Sequence, residues 1–144
     1  MKALLLTALL ALSGCASAAA PMLAGPPELQ TRPVTAADRI DGRWTIKAVN
    51  GQEVGGLWLE LANTQATYQL GCNSGGGDLS RNGDKLFIDK ALLTQRGCDA
   101  ARLAVEEQAI KVIRAAMTME FTEPDRLRLV NEWGTIDLVR SGVS

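Results

Sequence analysis

The sequence predicts a mainly antiparallel β fold of the α+β class, a curved sheet or barrel of about eight strands with one packed α-helix. Three observations carry this. Short β-prone runs recur through residues 40–144, punctuated by turn signals such as Asn-Gly and Pro-Asp. One stretch alone switches to helical spacing. No repeat of solenoid period is present, and a set of short antiparallel strands must close or pair off its edges.

The elements follow in order. Trp44 to Val49 is roughly alternating and stops at Asn50-Gly51. Leu57 to Leu61 alternates leucine with Trp58 and Glu60, and Ala66 to Leu70 makes a third strand. Leu79–Arg81 and Lys85–Ile88 flank Asn82-Gly83, a hairpin signal in which both turn residues need positive φ. Asp99 is the expected N-cap of the helix. Leu103, Ile110, Ile113 and Met117 then lie on one apolar stripe with Ala109 and Ala116 beside it, and Glu106, Glu107, Lys111 and Arg114 face away. Thr118–Thr122, a turn at Pro124-Asp125, Leu127–Val130 and Ile136–Val139 complete the domain.

Composition excludes several function classes. The 144 residues carry a formal net charge of −1, without the basic excess of a nucleic-acid binder. Histidine is absent, which removes Ser-His-Asp and Cys-His catalysis and imidazole metal ligands together. Neither Ser-x-x-Lys nor Gly-x-Ser-x-Gly occurs. Gly75-Gly76-Gly77 lacks the following Lys-Ser/Thr of a phosphate loop and reads as a flexible turn between strands. Glu106-Glu107 reads as a solvated helix face. Trp44, Trp58 and Trp133 read as core, with a ligand-stacking surface as the alternative. Asp78, Asp84 and Asp89 are too dispersed for a calcium loop. The expectation is a protein that is not an enzyme and needs no metal and no cofactor.

The N-terminus reads as an address. Lys2 precedes the apolar run Ala3–Leu12, too short to span a bilayer and right for a signal peptide. Leu12-Ser13-Gly14-Cys15 resembles the lipobox of bacterial lipoproteins, which implies removal of residues 1–14 and lipidation of Cys15. An ordinary signal peptidase site at Ser17-Ala18-Ala19-Ala20 is the alternative. Losing Lys2 from the 15 basic residues leaves 14 against 16 acidic ones, a formal charge of −2. Residues 15–39 hold four of the five prolines and form an Ala/Pro-rich tether. Fully extended, it would reach about 70 Å. The folded domain is expected over 40–144. Alanine rather than aspartate at position 16 implies, by the same resemblance, the outer membrane, with the domain facing the periplasm.

If Cys15 is lipidated, Cys72 and Cys98 remain, 26 positions apart and in an oxidising compartment. A structural disulfide is the first reading; a reactive or metal-binding thiol pair and two free thiols are the others.

Several spacings together resemble the META domain family of HslJ-like heat-shock lipoproteins. Gly42-x-Trp44-x-Ile46-x-x-x-Asn50-Gly51 resembles its opening, and Gly71-Cys72-Asn73-x-x-x-Gly77-x-Leu79 its central motif. Thr94-x-x-x-Cys98 is similar to its second cysteine segment, with Glu107 at the place of a glutamate in the helix that follows. Leu127-x-Leu129 and Ile136-x-Leu138-x-Arg140 resemble its closing hairpin. Leu79 and Gly97 depart from the pattern, standing where an aromatic and an alanine are common. The resemblance covers residues 40–141. It implies a compact antiparallel β-fold with one packed helix, an envelope location, a link to stress or drug tolerance, and no catalytic residues.

The functional expectation is a non-enzymatic envelope lipoprotein supporting outer-membrane integrity. Its partners are the membrane, through the anchor, and an envelope protein or lipid, with no nucleic acid. Two alternatives stand beside it. One is an inhibitor of a hydrolase such as lysozyme, using a protruding loop at 73–78. The other is a carrier or pilot holding an acyl chain or partner peptide in a cracked β-barrel.

Overall fold

The computed structural model describes residues 31–142. The signal segment, Cys15 and most of the tether lie outside the described residues. The elements are β1 (Arg32–Pro33), β2 (Gly42–Val49), β3 (Gln52–Ala62), β4 (Gln65–Gln69), β5 (Ser74–Asn82) and β6 (Lys85–Leu93). Helix α1 (Ala100–Ile113) follows, then β7 (Met117–Glu123), β8 (Arg126–Asn131) and β9 (Gly134–Arg140). All pairings are antiparallel. Strands β2 to β9 pair in sequence, and β9 returns to β2, closing an eight-stranded barrel. The β6–β7 seam is short, only Lys85↔Thr118 and Leu86↔Met117. The ninth strand, β1, covers β7 at Glu120–Phe121.

Alternation sorts the barrel strands into an apolar inside and a polar outside. Trp44, Ile46, Leu59, Leu61, Tyr68, Leu86, Met117, Met119, Leu127 and Leu129 are fully buried and fill the interior. Each such side chain contributes about 1.5–3 kcal/mol by leaving water. This filled interior leaves the carrier reading without the open lumen it requires.

Each end of the barrel is covered differently. At one end, carrying the β2–β3 and β8–β9 turns, α1 lays Ala109, Ile110, Val112 and Ile113 over the core. Asn131 donates to Val112 O at 2.8 Å there. At the other end residues 34–41 form a strap. Its own Val34 and Ile40 are buried as part of the core. Two arginines grip its carbonyls: Arg81 donates to Thr35 O and Asp38 O, and Arg140 to Arg39 O and Asp41 O. Arg32 and Asp38 form a bidentate pair on its outer side, and this hydrogen bond first, then that from Thr35 N, holds the Asp38 carboxyl far below its ordinary range. The folded part therefore begins before residue 40, inside the stretch expected to be tether.

The structure differs from the sequence expectation at particular elements, each for a local reason. Gly75–Gly77 is strand, not turn. These glycines let β4 and β6 approach β5, because a Cβ at Gly76 would come within 2.7 Å of Ala66 O and one at Gly77 within 2.6 Å of Asp89 O. A bulge in β6 sits opposite Gly77, where Lys90 takes φ 53°. The Asn82-Gly83 hairpin forms, but Asn82 pairs with Lys85, so the turn residues are Gly83-Asp84 and Gly83 is the one with positive φ. The helix ends at Ile113 rather than running to Met117, which opens β7. Its buried stripe passes through Glu106, Ala109, Ile110 and Ile113, while Leu103 is exposed. Trp133 stands 55% exposed on the β8–β9 turn, not in the core.

Candidate functional site

The residues of the central motif converge where α1 meets the barrel. Cys72 and Cys98 are joined by a disulfide with Cα atoms 6.0 Å apart. It fastens the loop after β4 to the residue before the helix N-cap, Asp99, whose side chain accepts from Arg102 N. The cluster of Cys72, Cys98 and Asp99 offers a metal only one carboxylate, because the two sulfurs are bonded to each other.

Next to the disulfide, Asn73 is 3% exposed and makes a bond with every polar atom of its side chain. Its Nδ2 donates to Glu106 Oε1 at 2.8 Å and to Arg96 O at 3.2 Å. Its Oδ1 accepts from Arg96 N at 2.7 Å and from Thr94 Oγ1 at 2.9 Å. Its backbone N–H donates to Glu106 Oε2 at 2.8 Å. Glu106 is thus a buried carboxylate, 5% exposed, not a member of the solvated face. Glu107, the residue the resemblance singled out, is the exposed neighbour. Gly71 is required because a Cβ there would lie 2.9 Å from Glu106 Cβ. No spacing in the sequence shows this pairing, since Asn73 and Glu106 are 33 positions apart.

The opening motif has the same character. Asn50 and Gly51, with φ 50° and 76°, form the β2–β3 turn. Asn50 accepts from Thr135 N at 2.9 Å and donates to Gln108 Oε1 at 3.1 Å, tying the turn to β9 and α1. Trp44 donates to Ile40 O at 2.8 Å, and the Arg140 guanidinium lies 4.2 Å from its ring centre. The motif residues Trp44, Asn50, Gly51, Gly71, Cys72, Asn73, Gly77, Thr94 and Cys98 therefore hold the strap, the strands and the helix together.

Breaking the disulfide should be costly. Its loop, closed over a sequence separation of 26, is worth about 3.5 kcal/mol in the chain-entropy account. Cys98→Ala in a Cys15→Ser background should lower the urea midpoint accordingly. The Cys15→Ser chain itself, denatured without reductant, should yield no titratable thiol; two per chain would refute the bridge.

The concave surface lies beside this lock. A groove of about 600 Å³ runs between the Gln52–Trp58 half of β3 and the first turns of α1, where Ala101, Arg102 and Val105 form its wall, with Gln69 and Gly71 between. Its β3 wall exists because the β2–β3 register slips: Ile46 faces Leu57, but Ala48 faces Glu53, so Val54–Gly56 bulge outward. Trp58 lines the groove, with the Arg43 guanidinium 4.2 Å from its ring and paired in turn to Glu60 at 2.7 Å. A smaller groove of about 420 Å³ follows the other flank of the helix, bordered by residues 93–97, Leu103, Glu107 and Arg114. Sequence reading missed the larger groove. The Gly55-Gly56 pair is its trace in the sequence, and no periodic pattern singles that pair out.

Comparison with known proteins agrees with this architecture. The META domain model matches residues 37–142. Two solved structures share the fold. One, described as an NMR structure, has a TM-score of 0.59 at 15% identity, over 68% of this chain and 87% of that one. The other, an NMR structure of a protein from Burkholderia xenovorans, has a TM-score of 0.58 at 19% identity, over 72% and 83%. The comparison with curated proteins gives no match.

Proposed function

The chain belongs to the META domain family, and from that premise we propose a non-enzymatic binding protein of the bacterial envelope, lipid-anchored through Cys15 to the outer membrane and facing the periplasm. The observation that carries this reading is the polarity of the barrel. The described chain enters along β7 and the strap, at the end opposite α1. A tether attached there would direct the helix, the grooves and exposed Trp133 and Leu103 away from the lipid surface. Its role would be support of envelope integrity under stress or drug exposure, exerted through contacts at that far end.

A binding role also suits the fate of the reactive groups. Both thiols of the domain are joined in one disulfide, and Glu106 spends both oxygens on Asn73. The inhibitor alternative loses its loop, because Ser74 to Asp78 lies within β5.

Intact-mass analysis of the membrane-extracted protein tests the anchor. A mature chain beginning at a multiply acylated Cys15 is expected, and Cys15→Ser should give an unlipidated precursor or a soluble periplasmic product. An unmodified N-terminus on the membrane-extracted protein would overturn the anchored reading.

A further inference from the structure

We propose that the groove between the β3 bulge and α1 is a saccharide-binding site, taking a neutral glycan segment of two or three sugar units. The proposal deepens the binding role above and rests on it, but not on the lipid anchor.

The chief observation is Gly55. Its φ lies outside the left-handed region, and a Cβ built on it meets nothing within 4 Å. Among the described residues, neither conformation nor packing calls for glycine there. A side chain would, however, project from the bulge that walls the groove. Gly56 beside it takes φ 74°, so the bulge is a fixed backbone feature. The result is an open backbone wall facing half-buried Trp58. Arg43, itself clamped by Glu60, holds the indole in place.

The remaining lining selects among ligand classes. One carboxylate, Glu53, and one guanidinium, Arg102, leave the groove without net charge, and Arg102 already has Asp99 at 3.5 Å. A phosphate or polyacid is therefore disfavoured. The Gln52 carboxamide, together with Glu53 and Arg102, interrupts the apolar patches of Val54, Leu57 and Val105, so an acyl chain would desolvate polar groups, while the Gln69 carboxamide already donates to Gly71 O at 2.9 Å. An added peptide strand needs a regular edge, and the bulge at Val54–Gly56 denies it one. A pyranose meets the lining on its own terms. Its C–H face packs on an aromatic surface, and its hydroxyl rim exchanges hydrogen bonds with carboxamide, carboxylate and guanidinium groups. The volume of about 600 Å³ lies within the range of small-ligand sites.

The test uses the full chain carrying Cys15→Ser, titrated with chitotriose, maltotriose and cellotriose while amide and indole chemical shifts are followed. At least one saccharide is expected to bind with a dissociation constant of about 1 mM or tighter. The shifts should centre on Gly55, Gly56, Val105 and the Trp58 indole. Gly55→Leu should fill the groove and weaken binding at least about tenfold. It should leave the melting temperature unchanged, because the substituted position is open. Trp58→Phe should weaken binding with the same shift pattern. No response to any of the three up to about 20 mM would overturn the proposal. So would binding that Gly55→Leu leaves intact, or a neutral Val/Thr pentapeptide shifting these resonances where the sugars do not. Cleavage of a bound saccharide would support the site while overturning the non-enzymatic reading, so the two fail separately.

Discussion

Gly75→Ala is expected to destabilise the domain by about 4 kcal/mol or more, an effect in the exceptional tail of single substitutions. The added Cβ would stand 1.8 Å from Leu92 O and 2.9 Å from Tyr68 Cε2. Neither neighbour can give way cheaply. Leu92 O belongs to the backbone of β6 and accepts from Tyr68 Oη at 2.9 Å. Tyr68 is fully buried, and its hydroxyl also bonds Gly76 O at 3.3 Å. Relief would require parting β5 from β6, where Gly75 pairs with Leu93. For a domain of this size the loss corresponds to a fall in melting temperature of about 15–30 °C. Gly97→Ala is the control, since its Cβ meets nothing within 4 Å. Thermal denaturation of the two variants decides the matter; a Gly75→Ala melting point beside that of Gly97→Ala would refute the close approach of the strands.

This position also shows what sequence reading can reach. Alternation carries a strand when side chains register the two faces of a sheet, and Trp44 to Val49 or Leu57 to Leu61 are legible for that reason. Gly75–Gly77 has no side chains to alternate, so its strand is invisible in the sequence although it pairs on both sides, with β4 and with β6. The helix was legible as an element, but its inward face was not. Glu106 scores as polar in any periodic pattern, yet it turns inward because Asn73 waits there with two donors. The strap escaped notice because Pro33 marks its start and because its carbonyls are satisfied by Arg81 and Arg140, far along the chain. The site suffered most. Periodicity reports what is buried, whereas the groove is defined by backbone left uncovered at Gly55 and Gly56.

Asn73→Ala should cost about 3–5 kcal/mol and loosen α1 before the barrel yields. The substitution removes the donor to Glu106 Oε1 and the acceptor used by Arg96 N and Thr94 Oγ1. Each buried group left without a partner costs about 1–3 kcal/mol, more when it is charged. The Glu106 carboxylate would keep only the backbone N–H of residue 73. The site has no room to repack, since Gly71 brings the chain within 3.0 Å of Glu106 Oε2 for any Cβ placed there. Asn73→Asp should be at least as damaging, because it sets a second carboxylate against the first. Glu106→Gln removes the charge and keeps the shape, so it should cost less than either. The disulfide still pins the helix N-terminus in all three variants, and so the loss should appear as local opening of α1 rather than detachment. Hydrogen exchange separates these outcomes. Amides of the second and third turns of α1 should exchange at least about tenfold faster in Asn73→Ala, while β8 and β9 keep their protection until global unfolding. Equal acceleration in helix and strands would mean that Asn73 stabilises the whole barrel uniformly and does not lock the helix onto it.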